Sequence, residues 1–323
     1  MRDLPPRVPR PAPPQTLPTP TLDATVSPLV TEVDHDHRAV TFLWRGQADE
    51  VRVLANKLTH DTEAAVMERT GDLWHRTYLV RHGWRASYRL SVDGVPVADP
   101  LNPRVWHGFS VAETAPPSPW TTARAEPLHR LTRHATGLRY DPVRPPRGAL
   151  VVLDGEHWAD DLPVMLDNLI EAGELPPVTA WLVESGPDRV SKLTCNPEFV
   201  DALPYEGSTV IAGQSFGGLT AVYAALRRPD RFVAAVSQSG SFWWPNGPEP
   251  EWLTRELAAA TAPPRVHLQV GTLEWALHGP TARLRETLGE TGTYREFEGG
   301  HDRYCWRNEL ADGLIAAFAA LPR

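Results

Sequence analysis

The chain has 323 residues, of which 41% are hydrophobic and 22% charged, and its formal net charge is −8. This composition is that of an ordinary globular protein and gives no sign of wholesale disorder or membrane burial. The acidic balance argues against nucleic acid as a partner, because duplex binding requires a basic face.

The amino-terminal segment, residues 1–29, holds many of the 33 prolines of the chain. Proline has no backbone N–H to donate, so an extended, mobile tail is expected there. The tail lacks the apolar stretch of a secretory signal, and the sequence has no run of about 18 apolar residues that could span a bilayer. A cytoplasmic protein without a membrane partner is therefore expected.

Residues 30–109 contain short runs in which apolar or aromatic residues alternate with polar ones: AVTFLWR, DEVRVLAN, LWHRTYLV and ASYRLSVDG. Alternation predicts half-buried strands, and Asp93-Gly94 is a strong signal for a tight turn. The segment is expected to form a small all-β sandwich domain. Residues 110–147, rich in Pro, Arg and Thr, are expected to form a linker.

Residues 148–323 contain short apolar runs without clean alternation, as expected of strands buried on both faces: GALVVLDG, VTAWLVES, STVIAGQS, RFVAAVSQSG, RVHLQVGT and TYREFEGG. Helical patterns lie among them: LPVMLDNLIEAGEL, GGLTAVYAALRR, TARLRETLGE and NELADGLIAAFAAL. Strands that alternate with helices predict an α/β domain with a mostly parallel sheet.

The stretch GQSFGG, residues 213–218, lies between the apolar run STVIA and the helical pattern LTAVYAALRR. A serine with a glycine two places to either side, between a buried strand and a helix, is typical of a nucleophile elbow. The glycines there let the strand and the helix approach each other. An ordinary strand-to-helix turn is the alternative, but the context favours Ser215 as a nucleophile.

A serine hydroxyl is a weak nucleophile unless a base takes its proton. Among the 12 histidines, His301 in EGGHDRYCW follows the last predicted strand, where the order Ser, acid, His of the hydrolases places the base. His278 in WALHGP and His157 in DGEHW are the competitors. Glu274 follows the strand RVHLQVGT and is the candidate acid that orients the histidine. If Glu274 is only an exposed loop residue, the serine and the histidine work as a dyad.

The oxyanion of a tetrahedral intermediate needs two N–H donors. One is expected from the backbone of Phe216, next to the nucleophile at the start of the helix. The other is expected from the loop LDGEHW after the first strand of the α/β domain, at Gly155 or Glu156.

No metal site is predicted. Two cysteines are too few for a site of four thiolates or for a disulfide scaffold. The segment DHDH at residues 34–37 contains metal-binding residue types, but it precedes a strand and is interpreted as a polar turn.

Several segments together resemble the enterochelin esterases, α/β-hydrolases that cleave the ester bonds of ferric catecholate trilactone siderophores. The α/β half contributes, in the order of that family, VLDGEHWA, LTCNPEF, VIAGQSFGGLTAVYA, VSQSGSFWWP and GGHDRYCWR. The amino half contributes WRASY and ADPLNPRVW, which are similar to the sandwich and connector of the longer, cytoplasmic members. The resemblance covers about residues 30–323. It implies Ser215 as nucleophile, His301 as base and Glu274 as orienting acid.

A ferric tris-catecholate is an anion with flat aromatic rings, so its pocket is expected to combine cations with stacking faces. The resemblance places Arg189 and Asn196 on a polar substrate segment, and Trp243 and Trp244 on an aromatic wall. The alternative is that the tryptophans belong to the core and that the arginines are solvated. The expected substrate contacts are Arg189, Lys192, Asn196, Trp158, Trp243, Trp244, Arg303 and Arg307.

The segment RVSKLTCN departs from the family at one position, where Lys192 stands in place of the usual glutamate. A cation that replaces an anion changes the local charge by about two units, which affects the binding of an anionic complex. The departure bears on which siderophore is preferred.

The expected function is hydrolysis of the esters of a ferric enterobactin-type siderophore without a cofactor, since the iron arrives with the substrate. The siderophore is the expected partner, and the protein is expected to be a monomer or a homodimer. Three alternatives stay open at this point: a general acyl esterase or acyltransferase, a carbohydrate-active enzyme, and a catalytically silent siderophore-binding protein.

Overall fold

The computed structural model describes residues 8, 12–20, 25–59 and 63–319. These residues form two compact units. The first unit takes the described residues up to Pro116 together with Gly271–Ala276 and Phe297–Cys305, and the second unit takes the remainder.

The first unit contains two antiparallel sheets of five strands each. Its strands are β1 (Thr16–Leu17), β2 (Leu29–Glu32), β3 (His37–Arg45), β4 (Val51–Ala55), β5 (Glu68–Thr70), β6 (Leu73–Arg81), β7 (Arg85–Val92), β8 (Val95–Val97), β9 (Val105–Trp106) and β10 (Phe109–Glu113). One sheet has the order β1-β6-β3-β2 with β5 on β6, and the other has the order β4-β7-β10-β9 with β8 on β7.

Alternating apolar side chains of both sheets form one buried core, which confirms the predicted sandwich. Phe42 of β3 is fully buried, and its ring meets Tyr78 of the same sheet and Tyr88 of the other sheet edge-on, at centroid distances of 5.9 and 4.8 Å. The predicted tight turn at Asp93-Gly94 joins β7 to β8, and both residues have positive φ, as a two-residue hairpin requires.

The predicted tail differs from the structure in its described part. Thr16 and Leu17 pair with Tyr78 and Thr77 of β6, because an edge strand still offers free backbone groups to a proline-rich segment. Ser27 is buried, and its hydroxyl donates to Asp99 at 2.6 Å. The rest of the tail, residues 1–7, 9–11 and 21–24, lies outside the described residues.

The second unit contains one sheet of eight strands. These are β11 (His129–His134), β12 (Gly137–Pro142), β13 (Gly148–Leu153), β14 (Val178–Val183), β15 (Thr209–Gln214), β16 (Phe232–Gln238), β17 (Arg265–Gly271) and β18 (Gly292–Phe297). The order is β11-β12-β14-β13-β15-β16-β17-β18, and the five strands from β14 to β17 in that order run parallel. Nearly every residue of β13 to β16 is buried, as the unbroken apolar runs predict.

Seven α-helices connect or follow these strands in the described chain: α1 (Leu162–Ala172), α2 (Arg189–Lys192), α3 (Pro197–Asp201), α4 (Phe216–Arg227), α5 (Trp252–Ala259), α6 (Trp275–Leu288) and α7 (Arg303–Ala319). The four predicted helices correspond to α1, α4, α6 and α7. Within the described residues, none of the helices combines the length and the apolar character that crossing a membrane requires. The mostly parallel sheet with its intervening helices is an α/β-hydrolase fold.

The predicted linker at residues 110–147 is wrong. Strand β10 pairs with β7 and belongs to the sandwich, and β11 with β12 forms a hairpin that pairs antiparallel with β14. Strand β11 is an edge strand with mostly exposed polar residues, so it lacks the apolar alternation that identifies a half-buried strand. The boundary between the two units follows Pro116.

Replacing Phe42 with alanine is expected to destabilise the protein by about 3–5 kcal/mol, because a fully buried ring between two sheets leaves a cavity. Urea unfolding measures the loss. Val30 lies on β2 and is 41% exposed, so Val30→Ala is the control and should change the free energy of unfolding by less than about 0.5 kcal/mol. Equal unfolding midpoints for the two variants would contradict the described core.

Candidate active site

Ser215 stands at the junction of β15 and α4, with φ +57° and ψ −119°. Such a conformation costs a residue with a side chain roughly 1–3 kcal/mol and persists only where its surroundings hold it. Here the Ser215 N–H donates to the Gln238 carbonyl, and the Ser215 carbonyl accepts from the Ser241 and Leu219 N–H groups, each at 3.0 Å. The predicted elbow is therefore present, with its serine held in a strained turn.

The glycines of the motif are required because α4 approaches the sheet closely at these positions. A Cβ on Gly213 would lie 2.3 Å from the Gly217 carbonyl oxygen, and one on Gly218 would lie 2.6 Å from the Ser237 hydroxyl. No real Cβ makes contacts this short, so larger residues would push α4 away from β15 and β16. The spacing of glycine around Ser215 thus follows from the packing of a helix directly onto the sheet.

A chain of buried glutamines lies beneath the elbow, where β15, β16 and β17 end. The Gln214 amide donates to Gln238 at 3.0 Å, the Gln238 amide donates to Gln269 at 2.8 Å, and the Gln269 amide donates to the Glu309 carbonyl at 2.9 Å. Trp158 donates to Gln214 at the other end of the chain. Each glutamine is at most 3% exposed, so buried hydrogen bonds tie the ends of three strands together.

The predicted oxyanion donors lie at two turns. Phe216 begins α4, so its N–H is among those that a helix leaves without an intrahelical acceptor. Gly155 and Glu156 belong to a short 3₁₀ turn after β13, which follows Asp154 with φ +56°. The Glu156 carboxylate accepts from the backbone N–H groups of Ser185 and Gly186, at 3.1 and 3.2 Å, and thereby ties this turn to the segment after β14.

Glu274 and His301 are in contact in the first unit, as the sequence predicts. The imidazole Nδ1 lies 2.6 Å from Glu274 Oε1, and the other carboxylate oxygen accepts from the Gly271 N–H at 2.7 Å. The Glu274 side chain is fully buried, whereas that of His301 is 29% exposed. Since a carboxylate only accepts, Nδ1 carries the proton, and Nε2 is left as the basic nitrogen.

The two competing histidines belong to the second unit. His278 is on α6 with its Nδ1 3.5 Å from Glu296, and His157 closes the 3₁₀ turn after β13. The segment DHDH forms the predicted polar turn before β3, in which Asp34 accepts from the backbone N–H groups of Asp36 and His37.

Two of the predicted substrate cations are engaged with buried carboxylates of the second unit. Arg189 donates twice to Asp154, at 2.7 Å for each bond, and its guanidinium lies 5.8 Å from the Phe216 ring centroid. Arg307 donates to Asp161 and to a backbone carbonyl. Their charges are thus largely compensated within the protein, and their first effect is to hold these carboxylates.

Three more of the predicted substrate-binding residues contact other protein groups. Lys192 donates to the Ser185 carbonyl at 2.9 Å and remains partly exposed. Asn196 caps α3, because its side-chain oxygen accepts from the Phe199 N–H at 3.0 Å. Arg303, in the first unit, lies with its guanidinium 5.9 Å from the Trp106 ring centroid.

The predicted tryptophans divide into core and surface. Trp158 and Trp244 are each 4% exposed, so the interpretation of both as substrate contacts does not agree with their burial. Trp244 meets Phe216 edge-on at 5.4 Å, and Trp158 supports the glutamine chain. Trp243 lies 6.0 Å from Phe216 and is partly exposed, whereas its neighbour Trp244 in the predicted wall is buried.

Comparison with known proteins shows the family of this chain. An Esterase family model matches residues 197–317, and the model "Enterochelin esterase, N-terminal" matches residues 39–150. An iron(III) enterobactin esterase of Escherichia coli O6:H1 is 32% identical over 76% of this chain and 79% of its own. The chain belongs to the enterochelin esterase family.

Other relatives extend the match. An iron(III) enterobactin esterase of Dickeya dadantii is 28% identical over 89% of each chain. The enterobactin esterase from Shigella flexneri, crystallised in the presence of enterobactin, has a TM-score of 0.77 and 28% identity over 90% of this chain and 95% of its own. As a member of this family, the protein is a carboxylic ester hydrolase.

Replacing Gln238 with leucine is expected to cost the esterase at least about 2 kcal/mol of unfolding free energy. The change removes the buried hydrogen-bond partner of three groups: the side-chain amide of Gln214, the side-chain oxygen of Gln269 and the backbone carbonyl of Trp306. Urea unfolding measures the loss, and Gln47→Leu, at an exposed position, is the control. If both variants lost the same small amount of unfolding free energy, the glutamine chain would not contribute to stability.

Proposed function

We propose that Ser215, His301 and Glu274 form the catalytic triad of an esterase that hydrolyses the ester bonds of ferric enterobactin-type siderophores. The observation that carries the proposal is the contact of 2.6 Å between His301 and the fully buried carboxylate of Glu274. A buried carboxylate on Nδ1 is the arrangement that prepares an imidazole for proton transfer. The strained turn at Ser215 supports the assignment of the nucleophile.

In the proposed reaction, Nε2 of His301 takes the Ser215 proton while the serine oxygen attacks an ester carbonyl of the siderophore. Glu274 accepts from Nδ1 and favours the imidazolium as it forms. The imidazolium then protonates the departing alcohol, which leaves an acyl-serine. Water attacks the acyl-serine with His301 again as base, and the free acid is released.

The oxyanion of both tetrahedral intermediates would accept from the Phe216 N–H and from an N–H of Gly155 or Glu156. The positive end of α4 adds to this stabilisation, because the first N–H groups of a helix carry partial positive charge. Removal of one such donor from a serine hydrolase costs roughly 10²- to 10³-fold in rate.

The names of the relatives support the choice of substrate, since they are called iron(III) enterobactin and iron(III) salmochelin esterases. Lys192 and Trp243 are both partly exposed, and a cation and an aromatic ring are suited to an anionic complex with aromatic rings. The iron belongs to the substrate, and the proposed steps need no cofactor. We place the reaction in the cytoplasm, where released iron can be used, and expect a monomer or a homodimer.

Ser215→Ala and His301→Ala should each lower the rate of ferric siderophore hydrolysis by about 10⁴-fold or more. The nucleophile and the base act as a unit, so the loss of either one abolishes the function of both. Glu274→Gln should lower it on the order of 10⁴-fold by favouring the wrong tautomer. Products are resolved by chromatography from the ferric and the iron-free trilactone.

The control is Ser208→Ala, which removes an exposed hydroxyl just before β15. Linear catecholate-serine products from wild type and control, and none from the triad variants, are expected. If the trilactone survives while a simple aryl ester is cleaved in a Ser215-dependent way, the protein is a general esterase and the siderophore assignment fails.

Lys192→Glu, which restores the usual residue of the family, should raise KM for the ferric siderophore about three- to tenfold at low salt, because it reverses one charge near an anionic ligand. KM for a neutral aryl ester should not change. Arg144→Glu makes the same charge change before the amino end of β13 and is the control. Equal KM shifts for both variants would mean that only net charge matters.

A further inference from the structure

The loop that carries His301 packs directly on the sandwich within the first unit. A Cβ on Gly300 would lie 2.6 Å from Lys57 Cβ and 2.8 Å from the Asn56 carbonyl oxygen. A Cβ on Gly299 would lie 2.5 Å from the Cys305 Sγ, in the same loop, and 3.3 Å from the Arg85 carbonyl oxygen of the sandwich. The two glycines before the histidine therefore let its backbone approach that of the sandwich.

Asp302 then binds this loop to strand β7. One carboxylate oxygen accepts from the Ser87 N–H at 2.6 Å, and the other accepts from the Ser87 hydroxyl at 2.9 Å and from the Tyr304 N–H at 2.9 Å. Asp302 is 5% exposed. Burial raises the pKa of Asp302, and the bonds from Tyr304 and Ser87 lower it in part. Both oxygens of a buried acid are thus occupied by protein donors.

Further hydrogen bonds hold the chain on both sides of His301. Before it, the Arg85 N–H donates to the Glu298 carbonyl at 3.2 Å, and after it, the Cys305 thiol donates to the Arg85 carbonyl at 3.2 Å. The Asn56 side-chain amide donates to the carbonyl of His301 itself. The loop that carries Glu274 is tied to the same segment, since the Leu273 N–H donates to the Gly299 carbonyl at 2.9 Å.

We propose that Asp302 and Ser87 are positioning residues for His301, so that the sandwich sets the orientation of the catalytic base. The inference rests on the proposed role of His301. The imidazole must keep its Nδ1 bond to Glu274 while its Nε2 points in the direction that proton transfer requires. A small displacement of the His301 backbone therefore misaligns Nε2. Displacements near 1 Å lower rates by about 10²-fold even where the chemistry is untouched.

The test compares kcat and KM of full-length variants for a small neutral aryl ester. Such a substrate reports on the chemical step independently of siderophore binding. Ser87→Ala should lower kcat about three- to tenfold and Asp302→Asn about 10²-fold, with KM within twofold of wild type. Ser87→Thr, which keeps the hydroxyl, should recover most of the rate. Ser91→Ala removes another hydroxyl from the same face of β7 and should match wild type.

A spectroscopic measurement separates positioning from loss of fold. In wild type the proton between His301 Nδ1 and Glu274 should give a downfield resonance, which Ser87→Ala and Asp302→Asn should shift or broaden while circular dichroism stays unchanged. If Asp302→Asn does not fold, Ser87→Ala and its threonine counterpart decide the matter.

The inference is overturned if Ser87→Ala keeps the kcat and the resonance of wild type, or if the loss of kcat merely follows the loss of folded protein. A fall in kcat for Asp302→Asn alone, with Ser87→Ala like wild type, would also overturn it, because Asp302 would then act without the sandwich. An unaltered rate in His301→Ala would instead contradict the proposed function.

Discussion

The positive φ of Ser215 is the constraint around which the second unit is arranged. A residue with a side chain adopts that conformation only when neighbouring groups compensate its cost. Gly213 and Gly218 let α4 approach the sheet, the Gln238 carbonyl accepts from the Ser215 N–H, and the glutamine chain holds the strand ends at one level. The same contacts that stabilise the turn therefore also present the hydroxyl and the first N–H groups of the helix.

The orientation of His301 depends on a different constraint, the burial of the Glu274 carboxylate. An ionised carboxylate in the interior is stable only with donors on its oxygens, and here they are His301 Nδ1 and the Gly271 N–H. The bond from His301 Nδ1 consequently contributes both to the burial of this carboxylate and to the orientation of the imidazole. Asp302, the residue after His301, is also a buried acid with protein donors on its oxygens, in this case Ser87 and Tyr304.

Features encoded by neighbouring residues could be predicted from the sequence. The buried strands, the four long helices and the elbow follow from local patterns, and the partner of His301 follows from the order of strands. The strand β11 could not be predicted, because edge strands carry little apolar alternation. Nor could the burial of Trp158, the ion pair of Arg189 with Asp154 or the contact of Ser87 with Asp302, since each depends on residues brought together from distant parts of the chain.

The distances along the chain within the first unit bear on how the enzyme matures. Asn56 and His301 are separated by 245 residues, and Ser87 and Asp302 by 215. Contacts of such long range close large loops and form late in folding. On the ribosome the sandwich is synthesised before the segment with His301. A nascent chain would thus contain the turn at Ser215 before His301 is held against the sandwich, and under the proposed mechanism ester cleavage would begin only once those contacts have formed.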